Sequence, residues 1–169
     1  ADLLVRAASD RRLAAPEVDK SWAKVEQQSL AGHLTVRIAQ NQKQEAREAT
    51  VSVRFTQVRL QPPWRPNGKK LPEVTLHAIL VREDHPPAEV DEAIEWLLLI
   101  NLPVNDFATA VQVIQWYCAR WQIEVYHKVI KSGCRVEDCR LQTVERLYSY
   151  IALMCVIAWR LHWLTYINR

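Results

Sequence analysis

The sequence predicts a mixed α+β fold, in which a β-rich segment precedes two long helices. Short apolar runs of strand length, separated by Pro, Asn and Gly, occupy residues 21–103. Two longer stretches with helical periodicity follow in residues 104–169. With 169 residues, 49% of them hydrophobic, the chain is long enough for one substantial core with a smaller insertion.

Strand-like runs alternate with turn signals along the first part of the chain. Five runs have strand character: residues 2–7, 33–39, 50–61, 73–82 and 96–100. Their short connections favour a mostly antiparallel sheet. Within the third run, every second residue from Val51 to Phe55 is apolar, and the phase then changes before Val58. This change of phase predicts a bulge or bend.

The two helices are expected at residues 106–131 and 143–167. Asn105 and Asp106 are candidate caps for the first helix, which Ser132-Gly133 would end. In the second helix, apolar residues recur at helical spacing from Leu147 to Leu161. We interpret its apolar run as a buried core helix, because the run is too short to span a membrane.

Five polar residues form a stripe on the first helix: Tyr117, Arg120, Glu124, Lys128 and Lys131. At about 100° per residue, they fall within an arc of roughly 80°. The rest of the helix is apolar, which predicts that it is buried and that its polar stripe lines a cleft or a ligand. One carboxylate among cations and a phenol suits a phosphate held beside a metal-bound acid. The alternative is a ladder of i,i+4 ion pairs on a solvated face.

The formal net charge of +3 comes from the helical part of the chain, residues 104–169. Local basic patches suit a polyanion, although +3 is far from the charge of a strongly basic nucleic-acid binder. The four cysteines, at positions 118, 134, 139 and 155, are interpreted as reduced thiols of a cytosolic protein.

The stripe also carries a sequence signature. Its spacing, Tyr117-(2)-Arg120-(3)-Glu124-(6)-Lys131, follows without deviation the Y-(2)-R-(3)-E-(6)-K pattern of a bacterial enzyme family. The chain therefore resembles the insertion-sequence-four (IS-four) group of DDE transposases. The flanking blocks Trp96-Leu-Leu-Leu and Gly133-x-x-x-Glu137-x-x-Arg140-Leu141 are similar to those of the transposon-five type.

This resemblance implies an α/β fold, the C-terminal part of a ribonuclease-H-like core with a β-rich insertion and two long helices. Residues 1–20 would be a core strand and connection, 21–103 the insertion, and 104–169 the catalytic-core helices. Glu124 would complete a triad with two Asp that binds two divalent ions, Mg²⁺ or Mn²⁺.

The resemblance also implies that this protein acts on double-stranded DNA at transposon ends, as a homodimer, in the bacterial cytoplasm near the nucleoid. Tyr117, Arg120 and Lys131 would hold DNA phosphates, and Lys128 and Arg140 would contact DNA as well. Trp96 and Trp121 would stack on an extruded base; for both, a core position is the alternative.

Neither catalytic Asp can be placed in these residues. The chain starts inside the strand-like run Leu3–Val5, and neither Asp2 nor Asp10 has a suitable strand-end setting. We therefore expect a C-terminal fragment that, alone, neither cuts DNA nor stably binds a metal. The alternatives are a non-catalytic DNA-binding or dimerising module from a truncated transposase, and a structural α+β domain whose stripe is an ion-pair network.

Overall fold

The computed structural model describes residues 2–16, 20–38, 46–63, 68, 71–88, 90 and 93–167. Its strands are β1 (Leu4–Arg6), β2 (Gly32–Ile38), β3 (Arg47–Leu60), β4 (Val74–Glu83) and β5 (Glu95–Ile100). Its helices are α1 (Ser21–Glu26), α2 (Phe107–Ala119), α3 (Trp121–Lys128) and α4 (Val144–Ile167), with a π turn (Val129–Gly133) and a 3₁₀ turn (Val136–Asp138) between α3 and α4. The chain forms two compact units, Ala1–Gln115 and Trp116–Arg169.

The first unit contains a five-stranded sheet in the order β1-β5-β4-β3-β2, in which every neighbouring pair is antiparallel. This confirms the mixed α+β class and the antiparallel pairing expected from the sequence. Because β1 pairs with β5, the first strand and the β-rich segment share one sheet. The division of the chain at residues 20 and 103 stays a prediction.

Of the bulge or bend expected in β3, the bulge is absent from the described strand. Its pairing with β4 runs without interruption from Val51 opposite Glu83 to Leu60 opposite Val74. The apolar alternation changes phase along β3 because both faces of the sheet are covered. Val51 and Val53 are buried on one face, and Val58 is buried on the other.

Helix α1 covers the second of these faces. Its Val25 belongs to a buried cluster, and its Trp22 packs against that cluster, whose members are Leu13, Val25, Val58, Leu76, Ala78, Leu80, Leu97 and Leu99. The sequence did not reveal α1, because six residues are too few to show helical periodicity. Asp10 anchors its start, with Oδ1 accepting from Ser21 Oγ at 3.0 Å and from the Trp22 N–H at 3.1 Å.

Helix α2 begins against β2 on the opposite face. A Cβ atom added to Gly32 would lie 2.8 Å from the Phe107 ring, so a larger residue here would force the ring to shift. Asp106 caps the helix, as expected, because its Oδ1 accepts from the Thr109 N–H at 2.7 Å and from the Thr109 hydroxyl at 2.8 Å. Ala110, Val113 and Ile114 are the buried residues of α2.

The expected single helix over 106–131 is interrupted twice. At Arg120, between α2 and α3, the backbone bonds tighten to i→i+3, from Arg120 N–H to Tyr117 O and from Ile123 N–H to Arg120 O. At the far end, the π turn closes with an i→i+5 bond from Cys134 N–H to Val129 O at 2.8 Å.

The expectation that α4 is a buried core helix is wrong for this structure. Ala158 is the one fully buried side chain among those described in α4. Within its own unit, α4 packs against α3 and the π turn, and such partners cover only one side of a helix. By length and composition, Val144–Thr165 could cross a membrane (22 residues, mean hydropathy 1.3). One such helix is weak support for a membrane span, since core helices share these properties.

Candidate nucleic-acid interface

The second unit carries the positive charge of the protein. Residues 116–169 contain eight basic and four acidic residues, whereas residues 1–115 contain 14 basic and 15 acidic ones. All five stripe residues lie in the second unit. Exposed cations concentrated on one small unit attract polyanions, and this attraction falls with salt.

The stripe residues occupy four different local settings. Tyr117 lies in the last turns of α2 and is half-buried, and Arg120 is at the junction. Glu124 and Lys128 belong to α3, and Lys131 belongs to the π turn. Because the backbone departs from the ideal α-helix at Arg120 and after Lys128, the arc of roughly 80° calculated for an uninterrupted helix does not apply.

Arg120 is the centre of a small cluster with Tyr117 and Glu124. Its guanidinium carbon lies 5.9 Å from the centroid of the Tyr117 ring, within the range of a cation–π contact. Its Nη1 lies 3.8 Å from Glu124 Oε1, with 55% and 48% of the two side chains exposed. An ion pair this exposed contributes at most about 1 kcal/mol, so both groups remain available to a ligand.

The stripe is more accessible than the sequence predicted. The described part of α3 has no buried residue, so the burial expected of the helix over 106–131 is wrong for α3, whereas α2 contains buried residues. Trp121 is 44% exposed, so the core alternative for this residue fails in this structure. In a pair of packed helices, each helix is covered on one side only. The apolar residues on the other sides of α3 therefore stay exposed.

The remaining candidates lie apart from the cluster along the chain. Lys131 Nζ lies 3.0 Å from Glu137 Oε1, and Arg140 is exposed after the 3₁₀ turn. Lys128 is also exposed, at the end of α3. Trp96 is half-buried on β5, opposite Val81, and belongs to the first unit.

Tyr126, which the sequence did not single out, attaches α3 to α4. Its hydroxyl donates to the Cys155 carbonyl at 3.0 Å, and its ring meets the His162 ring edge-on with centroids 6.3 Å apart. Burial raises the pKa of the Tyr126 phenol, and an interaction with the Cys155 side chain raises it further. Tyr126 follows Glu124 by two residues, which corresponds to a rotation of about 200° around an α-helix. Tyr126 therefore lies on the side of α3 opposite Glu124 and holds that side against α4.

The described residues do not form a complete metal site around Glu124. Among them, no three His, Cys, Asp or Glu side chains come together in a group that could hold a metal ion. Glu124 supplies one carboxylate, with a guanidinium as its neighbour. A pair of divalent ions bridged for phosphoryl transfer needs more oxygen ligands than this one carboxylate provides.

The family model described as the transposase DDE domain matches residues 9–160. The chain belongs to this family. The match includes four of the five strands, β2 to β5, and all eight candidate site residues, from Trp96 to Arg140. Membership assigns the protein to transposition, a form of DNA recombination, and to a family that generally uses divalent metal ions.

Proposed function

We propose that this transposase belongs to the IS-four group and that Glu124 is the glutamate of its catalytic triad. In this proposal Tyr117, Arg120 and Lys131 hold the DNA phosphates on either side of the bond that is cut. The signature spacing of these four residues supports the assignment. The cluster of Tyr117, Arg120 and Glu124 on one accessible helical stretch is the observation that carries it.

Each side chain has a distinct part in binding DNA. The planar guanidinium of Arg120 presents paired N–H donors that match two phosphate oxygens, and the Tyr117 ring beneath it limits its orientations. Lys131 acts as a compact charge that contacts a second phosphate. Lys128 and Arg140, both exposed, would contact the backbone on either side.

The two tryptophans are proposed as surfaces for unpaired bases. Trp121 follows Arg120 directly and is accessible, so an extruded base could stack on its face. Stacking on an aromatic ring offsets part of the free energy that is lost when a base leaves the duplex. Trp96, half-buried on β5, would serve the same purpose at the end of a buried strand.

The metal chemistry needs more than this cluster. Two divalent ions, Mg²⁺ or Mn²⁺, would activate the attacking oxygen and stabilise the leaving one. Glu124 would be one ligand, and two further carboxylates have to join it. We propose that the described residues, by themselves, bind DNA without cutting it, and that the complete enzyme works as a homodimer on paired transposon ends in the bacterial cytoplasm.

A second function has one observation in its favour. Because the described residues group no three metal ligands, the chain could serve as a non-catalytic DNA-binding or dimerising module. The two proposals share the phosphate contacts and differ in whether Glu124 acts on DNA together with further carboxylates. Cleavage by the product of the complete gene separates them.

Replacement of Arg120 or Lys131 by Met tests the phosphate contacts. Each change is expected to weaken binding of the 169-residue chain to a short DNA duplex by about tenfold, since a hydrogen bond to a charged group is lost. The slope of log affinity against log salt should fall by about one for each residue. Fluorescence anisotropy over a series of salt concentrations gives both quantities.

The matched control is Arg146→Met, which removes an exposed charge from α4 in the same unit. This variant should bind DNA within about twofold of the unmodified chain. Equal losses in all three variants would mean that only net charge matters. Unchanged affinity in the Arg120 and Lys131 variants would remove the phosphate-holding role.

A further inference from the structure

Three of the four acidic residues in the second unit lie next to basic residues. Glu137 Oε1 is 3.0 Å from Lys131 Nζ, Asp138 Oδ2 is 2.6 Å from Arg135 Nε, and Glu124 is 3.8 Å from Arg120. The contact of Glu137 stands out because it joins two turns rather than neighbours on one helix. It also involves a lysine that the proposed function assigns to a DNA phosphate.

The backbone between α3 and α4 brings these two side chains together. The π turn places Lys131 just before the chain reverses, and the 3₁₀ turn returns Glu137 towards it. Between them, Arg135 adopts a left-handed conformation with φ of 50° and ψ of 41°. Such a conformation costs a non-glycine residue about 1–2 kcal/mol. The Arg135–Asp138 pair spans the same turn and favours it.

The two turns bring Lys131 and Glu137 into contact, but this contact contributes little free energy. The two side chains are 62% and 65% exposed, and ion pairs in water at such exposure are worth less than about 1 kcal/mol. A carboxylate and a phosphate both accept hydrogen bonds from an ammonium group. A DNA phosphate can therefore replace Glu137 on Lys131 at little cost.

We propose that Glu137 occupies, in the DNA-free transposase, the position that a DNA phosphate takes on Lys131. The carboxylate then competes with DNA for this lysine and lowers the affinity of the resting protein. This proposal rests on the phosphate-binding role of Lys131 proposed above.

A double-mutant cycle on the 169-residue chain tests the competition. Glu137→Gln should tighten binding to a short DNA duplex about two- to fivefold, because Lys131 no longer has to exchange a carboxylate for a phosphate. In a Lys131→Met background the same substitution should change affinity less than about 1.5-fold. Glu145→Gln, which removes an exposed carboxylate from the first turn of α4, is the matched control and should leave affinity unchanged.

The outcomes separate this proposal from the proposed function. If Lys131→Met weakens binding but Glu137→Gln does not tighten it, competition is refuted and the phosphate role stands. A gain that persists in the Lys131→Met background, or that Glu145→Gln reproduces, would show a general charge effect and also refute competition. If Lys131→Met binds as the unmodified chain does, the phosphate role itself fails. Circular dichroism confirms that each variant is folded.

Discussion

In a DNA-cleaving transposase that contains this chain, Glu124→Gln is expected to lower the rate of DNA strand cleavage by about three orders of magnitude or more. Glutamine keeps the size of the side chain but removes the charge that a divalent ion requires. Binding of DNA should not be lost, because Arg120 and Lys131 remain. Cleavage of a plasmid that carries the transposon ends, measured together with DNA binding on the same sample, tests both expectations.

The control for this experiment is Glu145→Gln, which changes an exposed carboxylate of α4 in the same way. It should cut at the rate of the unmodified enzyme. Cleavage that survives in the Glu124 variant would exclude Glu124 from the catalytic triad. Loss of DNA binding together with cleavage would point instead to a structural role for this residue.

Glu83→Ala is expected to lower the free energy of unfolding by about 3–5 kcal/mol. Only 2% of the Glu83 side chain is exposed, and it forms a two-pronged ion pair with Arg47, one bond of which measures 2.9 Å. Its Oε2 also accepts from the Ile94 N–H at 3.0 Å. Removal of this carboxylate leaves a nearly buried guanidinium without its partner. Urea denaturation measures this change in the free energy of unfolding. The control is Glu73→Ala, because Glu73 forms a half-exposed ion pair with Arg59, and this substitution should cost less than about 1 kcal/mol.

The same pair predicts how stability depends on pH. The hydrogen bond from Arg47 holds the pKa of Glu83 below its ordinary value, against the opposing effect of burial. A carboxyl group with a lowered pKa in the folded protein stabilises the fold above its unfolded pKa of about 4.3, and this contribution is lost as pH falls through the folded pKa. Glu83→Ala should therefore flatten the acid side of the stability curve. If the free energy of unfolding of the variant falls with decreasing pH as steeply as that of the unmodified chain, the lowered pKa of Glu83 is contradicted.

The sheet could be predicted because its signal is local. Strand-length apolar runs between Pro and Gly identified all five strands, and short connections indicated their antiparallel order. Helix α1 was missed since its six residues carry no periodicity. The change of phase in β3 was misread as a bulge, because a sheet covered on both faces can bury either alternation of residues.

The burial of the two long helices could not be predicted from their composition. An apolar helix is buried only if other elements cover it, and the sequence does not show how many do so. Spacing alone located the stripe, but not the contacts that depend on the fold. Tyr126 meets Cys155 across 29 positions, and Arg47 meets Glu83 across 36. The Lys131–Glu137 pair depends on a π turn and a left-handed residue, neither of which has a sequence signal here.

The affinity of the 169-residue chain for duplex DNA in EDTA, with and without Glu124→Gln, tests most directly whether a phosphate lies beside Glu124. Without metal, the carboxylate repels a phosphate held by Arg120 and also competes for that guanidinium. The account predicts that Glu124→Gln binds about three- to tenfold more tightly, whereas Glu145→Gln binds as the unmodified chain does. Equal affinity for the Glu124 variant and the unmodified chain would contradict it.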